Sequence, residues 1–417
     1  IFGTKLNYAF GKSIIRDAEI ETYFKTIVNS ILEHSEIKRK PKLRVVLDKD
    51  YNAFVMPNSN SIFINTGLIF DLESADEFLA IVAHELSHMI LNHPSFLKAS
   101  LKNTSMLETL TTLGTIALGT TLSPDLGLGL GIAAINSSNV KSFSYSRELE
   151  TIADEFSINI LKKANISFDG IINKLRTLKQ QQVTSSNSIL FQTHPHIEDR
   201  IIMFENARKT SNKNKIISNN INDELLKKIK FKIEVYTREI NFLERKYNNL
   251  LESEESLRAK SVIYYRKGDL DGSLKQLKKI KNYRKFNCWD YEFEGDILYS
   301  KRDYSGAINA FKKSLAICKS GLIYFSLGKS YLAKGNSSDQ KKHNYYSNAS
   351  KYLLKASILE KNTLDIREFY GMSLAKEGKI AEAYLQNAQI AFLLGNIAKA
   401  KFYAKKIHDF DNLKPSI

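Results

Sequence analysis

Apolar residues recur at helical spacing in several stretches of the chain. Between Asp17 and Leu32 they fall at Ile20, Phe24, Ile27, Val28 and Ile31, which predicts a helix with one buried face. Short β-like runs follow at Leu43–Leu47 and Ala53–Met56. After the turn-rich "MPNSNS", the run Ser61–Ile69, "SIFINTGLI", predicts a further strand. Asp76–Asn92 reads as a helix ended by Pro94, and Ser146–Lys163 as another, with Leu149, Ile152, Ala153, Phe156 and Ile160 on one face. Lys209–Asn220, "KTSNKNKIISNN", is polar and turn-rich and reads as a linker.

Beyond the linker the pattern repeats. Gly268-Asp269-Leu270 leads into Leu274 and Leu277, and Arg302-Asp303-Tyr304 leads into Ala307 and Phe311, an offset of 302 − 268 = 34 residues. Tyr324, Leu327, Gly328 and Tyr331 match the first-helix pattern of a tetratricopeptide repeat, with Tyr in place of Trp. Tyr370-Gly371, Leu374, Gly378 and Ala383 give another repeat, and Gly395, Ala400 and Ile407 close the array half a repeat later. A polar insertion near Asn336–Asn344 breaks the period once. Small residues are expected where stacked helices approach closely. The other reading is a non-repetitive helical domain.

These patterns divide the 417 residues into a domain at 1–208, a linker at 209–220 and a helical repeat domain at 221–417. The fold class is α+β, mainly α, with a small sheet in the first domain and an all-α solenoid after it. Charge and proline divide the chain near the same place. Residues 1–200 carry 20 Lys+Arg against 21 Asp+Glu, whereas 201–417 carry 41 against 24, a surplus of 17. Five of the six prolines lie at or before Pro195, as a helical second half requires. With 43% hydrophobic and 25% charged residues, the chain has the composition of a soluble globular protein. No nucleic-acid motif accompanies the basic half, so its charges read as solvated helix faces and no nucleic-acid partner is expected.

The two cysteines, Cys288 and Cys318, are equally compatible with one disulfide or two free thiols. No signal peptide is visible, and the chain begins at Ile1, which suggests a removed leader or a trimmed sequence. Leu113–Ile135 is apolar but broken by Pro124 and Asp125 and diluted by glycines. It reads as two short buried helices or an apolar flap, with membrane contact as the lesser alternative.

The chemistry centres on "IVAHELSHMILNH", Ile81–His93. His84 and His88 are one helical turn apart, about 40° around the axis, so two imidazoles can converge on one ion. Glu85 is rotated by about 100° and would reach a metal-bound water rather than the metal. This five-residue pattern alone is weak, because buried, hydrogen-bonded histidines satisfy it too. His93 lies about 140° around the same helix from His88, which argues for a surface or supporting residue rather than a third ligand. In "YSRELETIADEF", Glu150 and Asp154 again lie one turn apart. Glu150 is the candidate third ligand, leaving an open position for water, and Asp154 would fix the tautomer of a ligand imidazole, His84. The alternative is an exposed acidic face paired with Arg147.

"NAFVMPNSNSIFINTGLI", "HELSH", "SRELETIAD" and "THPHIEDRI", taken together in this order, resemble the M48 family of zinc metallopeptidases, over about residues 10–205. With repeats behind that domain, the chain resembles the bacterial periplasmic β-barrel assembly-enhancing proteases of that family. The resemblance implies a gluzincin-type domain with one Zn2+ per chain held by His84, His88 and Glu150, and Glu85 as the catalytic acid/base. It implies a periplasmic location. Unfolded or stalled outer-membrane proteins would be the substrates, and the basic repeats would bind substrates or the outer-membrane assembly machinery. A substrate strand would add along "SIFIN", taken as the edge strand, so Asn52, Ala53, Phe54, Ser61, Ile62, Phe63, Ile64 and Asn65 are the expected substrate-binding residues. His194 recurs in that family as part of "THP". It would donate to the oxyanion, or bind zinc at the open position and hold the enzyme inactive, or be merely structural. Ser87 departs from the family's usual Gly, and the repeat ends lack proline. The competing function is a repeat-based adaptor or chaperone of outer-membrane protein assembly with little proteolysis.

Overall fold

The computed structural model describes residues 13–33, 40–55, 60–93, 147–184, 194, 196–211, 220–338 and 342–412. The chain separates into two compact units, with the main division between Phe231 and Lys232. The expected linker lies mostly outside the described residues, as does the whole of Leu113–Ile135. Among the described residues no helix is long and apolar enough to cross a membrane.

The first unit holds a four-stranded sheet: β1 (Ser13–Ile15), β2 (Lys42–Leu47), β3 (Ala53–Val55) and β4 (Ser61–Asn65), in the order β1-β2-β4-β3. β1 runs antiparallel to β2, β2 parallel to β4, and β4 antiparallel to β3, with Phe54 opposite Phe63. The strand read from Ser61–Ile69 therefore stops at Asn65. The next six residues, Thr66–Asp71, form α2. Gly67 makes this turn feasible, since a Cβ there would stand 2.1 Å from the Lys49 carbonyl oxygen.

Helix α1 (Ala18–Leu32) buries the predicted apolar stripe, and the Asp17 carboxylate caps it by accepting from the Ile20 N–H at 2.9 Å. Helix α3 (Ala75–Ile90) is buried along nearly its whole length, with Phe24 stacked on Phe78 at 5.2 Å. Ser74 caps its start, with acidic Asp76 and Glu77 in the first turn. The helix stops short of the expected Asn92, which adopts φ 57°. Helices α4 (Arg147–Lys163), α5 (Asp169–Thr184) and α6 (Ile197–Lys209) complete the unit's core. Gly170 permits close approach of α5 to α3, because a Cβ would lie 2.8 Å from the Glu77 nitrogen.

After α7 (Asn220–Thr237) and α8 (Ile240–Tyr247), the second unit is a helical repeat region. Its pairs are α9 (Glu254–Lys267) with α10 (Leu270–Lys279), α11 (Cys288–Ser300) with α12 (Tyr304–Ile317), α13 (Gly321–Ser337) with α14 (Lys342–Leu359), and α15 (Leu364–Glu377) with α16 (Ile380–Leu393). A single helix, α17 (Ile397–Asn412), follows. The period is visible in the caps: Asp269 and Asp303, 34 residues apart, accept from Gly272 and Gly306 at 2.8 and 2.9 Å. Gly295 and Gly328 sit at the helix crossings, where a Cβ would fall 2.6 Å from the Phe311 ring and 2.5 Å from Leu353. Cys288 and Cys318 are disulfide-bonded and tie the start of α11 to the residue ending α12.

Candidate metal centre

The centre is assembled by three elements that share no sequence neighbourhood. Helix α3 contributes His84, Glu85 and His88, α4 contributes Glu150 and Asp154, and α6 with the segment entering it contributes Arg200 and His194. All are buried, with Glu85, His88, Glu150 and Asp154 at 2% exposure or less. The chain turns sharply into α6 at His196, which takes a left-handed φ of 65°.

His84, His88, Glu150 and His194 each aim one donor atom at a common point, all within 4.8 Å of one another. The two imidazole Nε2 atoms are 3.0 Å apart. Glu150 lies 3.2 Å from His88 Nε2 and 3.4 Å from His84 Nε2. His194 Nδ1 is 3.0 Å from Glu150 and 3.4 Å from His84 Nε2. Four donors bonded to one ion at about 2.0–2.2 Å stand roughly 3.3–3.6 Å apart along tetrahedral edges. The separations given above, which involve both Glu150 oxygens, lie at or just under that range, within a group whose donor atoms all fall within 4.8 Å. The donor set is one of imidazole and carboxylate, which suits a divalent ion such as zinc. Glu150 Oε2 and Glu85 Oε2 are both buried without a hydrogen-bond partner, so the site contains acceptor capacity that the protein does not itself satisfy.

The outer atoms of the two α3 imidazoles are held from behind. His84 Nδ1 lies 2.8 Å from Asp154 Oδ1, which keeps a proton on Nδ1 and leaves Nε2 as the atom facing the ligand group. Asp154 is gripped by Arg200, whose Nε and Nη2 donate to it at 2.8 and 3.0 Å. His88 Nδ1 meets His93 Nδ1 at 2.8 Å. His93 is therefore neither at the surface nor in the ligating group; it stands behind His88. Of the two alternatives that helical rotation left for His93, the supporting one holds: Asn92 leaves the helix and His93 turns inward. Arg200 stood out in the sequence only by the resemblance, as the arginine that follows "THP", with nothing to pair it with Asp154. Arg147 pairs with Asp199 at 2.7 Å and is 61% exposed, so the acidic pair of α4 does not depend on it.

Charge in the cluster is tightly balanced. Burial pushes the Glu150 carboxyl up, but His194, His84 and Arg200 outweigh it and hold the carboxyl well below its usual range. Burial and Arg200 push His84 down, but Asp154 and Glu150 overcome them and raise it to about 9. Burial drives His88 down to about 3, so it stays neutral with a free lone pair. Glu85 behaves differently. Burial raises its pKa above the ordinary carboxylate value, despite His194 and His84 nearby. Its Oε1 lies 3.4 Å from His194 Nε2, one residue around the helix from the ligand row. A carboxylate with a raised pKa beside a metal site is suited to carry a proton.

The expected substrate-binding residues fall in the sheet, and here the structure corrects the sequence reading. β4, which holds Ser61, Ile62, Phe63, Ile64 and Asn65, is an interior strand paired with β2 on one side and β3 on the other. Its backbone groups are committed on both sides, so no peptide can add to it. Among the described residues β3 is the strand at the sheet's end, with Asn52 just before Ala53 and Phe54. Asn52 itself accepts from the Asn65 N–H at 3.0 Å.

Residues 18–208 match the family model described as Peptidase family M48. Metalloprotease YcaL of Escherichia coli K12 is 31% identical over 166 residues, covering 38% of this chain and 61% of that protein. A β-barrel assembly-enhancing protease of Yersinia pestis is 26% identical over 206 residues, covering 48% of this chain and 41% of its own length. The protein of that name from Escherichia coli K12 is 20% identical over 331 residues, covering 77% of this chain and 67% of its own. The chain thus spans well under two thirds of some of these relatives.

Proposed function

On the premise that residues 18–208 are a metallopeptidase domain of family M48, we propose that the chain is a zinc-dependent endopeptidase acting on unfolded or misassembled envelope proteins. The observation that carries this is the convergence of His84, His88, Glu150 and His194 on one point, with Glu85 beside it. We assign one zinc per chain to His84, His88 and Glu150. Bound zinc would polarise the scissile carbonyl and make an attacking water more acidic. Asp154 keeps His84 in the ligating tautomer, and His93 orients His88. Glu85 takes the proton from the attacking water and passes it to the leaving amine. No covalent acyl-enzyme forms. We assign strand addition of an extended substrate to the β3 end of the sheet, at Asn52, Ala53 and Phe54, where Asn52 and Ala53 are buried and Phe54 is partly exposed.

His194 has two roles open to it, and its geometry favours one. Its Nδ1 stands in the ligand set, at 3.0 Å from Glu150, rather than out where an oxyanion would form. We read it as a fourth ligand that closes the resting site until substrate displaces it. The domain organisation follows as a protease at 1–208, a linker at 209–220 and a tetratricopeptide-type array at 221–417 that binds substrates or the outer-membrane assembly machinery. Two findings support a periplasmic location: the Cys288–Cys318 disulfide, which an oxidising compartment maintains, and the names of the envelope relatives.

The test is zinc content and cleavage of an unfolded protein by the parent chain and by His194→Ala. Higher activity in His194→Ala supports the latch, and lower activity supports an oxyanion donor. Stoichiometric zinc with no cleavage by either would favour the adaptor reading instead.

A further inference from the structure

Among the described residues, α17 is held on one side only. It packs against α16, and no residue from Ile397 to His408 is buried. Apolar side chains stand in solvent here: Phe402 is 55% exposed and Ile397 43%, beside Phe392 at 40%. A helix of this length takes most of its stability from burying an apolar face. Between α16 and α17 lies an open groove of about 480 Å3, floored by Phe392, Leu393, Ile397, Ala400 and Ala404. That is the size of a typical ligand cleft.

The groove carries a second, independent feature. Arg367 and Lys401 line it, and no acidic residue does. Arg367 is half-buried and donates to neutral acceptors: the Lys361 carbonyl at 3.0 Å, Gln386 at 3.3 Å, and Gln389. Burial pushes its pKa down, and no carboxylate offsets this. Lys399, Lys405 and Lys406 extend the positive charge along α17.

We propose that this groove binds an amphipathic, acidic helix of a partner protein. The partner's apolar residues, at i, i+3, i+4 and i+7 spacing, lie along the apolar floor of the groove, and a carboxylate meets Arg367 and Lys401. A second copy of this chain does not fit, because the same face of the copy brings lysine against lysine. Charge is thus the selecting feature, over a shape that any helix with an apolar face would match.

The test is fluorescence anisotropy with two labelled helical peptides of 16 residues, sharing one leucine face, with glutamates on the other face in one and lysines in the other. The full-length Glu85→Gln chain is used so that the probe survives whether or not the chain is a protease. The acidic peptide should bind at least tenfold more tightly than the basic one. Lys401→Glu with Lys405→Glu, both exposed positions, should weaken it about tenfold, and Ala404→Trp, which fills the groove, should abolish it. Circular dichroism melting is expected to stay unchanged in all three. Equal binding of the two peptides, or binding indifferent to the charge reversal, overturns the proposal. So does a concentration-dependent dimer in sedimentation that Ala404→Trp abolishes, because a second copy would then be the occupant.

Discussion

Asp154 is the residue at which site and fold are most tightly coupled, and replacing it with Ala separates two effects. Its carboxylate is wholly buried, 2.8 Å from His84 Nδ1 and within 2.8 and 3.0 Å of two Arg200 nitrogens. Losing the bond to His84 releases the imidazole's tautomer and orientation. Loss of such a supporting partner costs about 10–100-fold in metal affinity, or roughly 1.4–2.7 kcal/mol. The second effect falls on Arg200, only 8% exposed, which loses both its paired bonds. Stranding a buried charge costs about 3–5 kcal/mol. The lower end is expected, because Glu150 Oε2 stands 3.5 Å from Arg200 Nη1 and still offers compensation. Competition with a chromophoric chelator reads the first effect and urea unfolding of the metal-free chain reads the second. The double variant Asp154→Leu with Arg200→Met should regain most of the stability, since an apolar pair replaces a buried ion pair, while zinc affinity stays low. Zinc affinity within twofold of the parent in Asp154→Ala would refute the role given to Asp154, as would a double variant that recovers both quantities.

Four further outcomes are expected. Gly67→Ala should destabilise the first unit by about 3 kcal/mol or more, read by urea unfolding, because the new methyl meets the backbone carbonyl of Lys49 and no side chain can give way. Gly295→Leu should cost roughly 1–3 kcal/mol in the repeat unit by overpacking against Phe311, with far-UV circular dichroism following its melting. Cys288→Ser with Cys318→Ser opens a loop of 30 residues, and the chain-entropy relation gives a loss of about 3.6 kcal/mol, measured against the oxidised parent. Burial raises the Glu21 pKa but Arg44 and Arg16 more than offset it, so it is lowered in the folded chain. Stability from this group is therefore complete above the unfolded value near pH 4.3 and is lost as pH falls through the folded value. Glu21→Gln should flatten that acid limb of the stability curve, and an unchanged limb would contradict the assignment.

Local patterns made much of this molecule legible. His84 and His88 announce themselves by helical spacing, Glu150 and Asp154 by the same spacing on a second helix, and the repeats by a 34-residue period with glycine at the crossings. Periodicity is a property of one element, so it reports each half-site without reference to the other. Strand order is not local. Five buried residues in Ser61–Asn65 read as a strand at either an edge or the centre, and only pairing with both β2 and β3 decides. The six-residue helix after Asn65 is too short for a 3.6-residue period to stand out from a strand's alternation. Helical rotation excluded His93 as a ligand but left surface and supporting positions open, because rotation holds only while the helix continues and Asn92 ends it with a left-handed turn. The Arg200–Asp154 pair spans 46 residues and depends on how α6 returns to α4.

The central claim is that Glu85, beside a zinc held by His84, His88 and Glu150, moves the proton in peptide-bond hydrolysis. The most direct test is the rate of cleavage of an unfolded protein by Glu85→Gln at measured full zinc occupancy. One zinc per chain with cleavage reduced by two or more orders of magnitude is the predicted result. Cleavage at the parent rate by the zinc-loaded variant would contradict it.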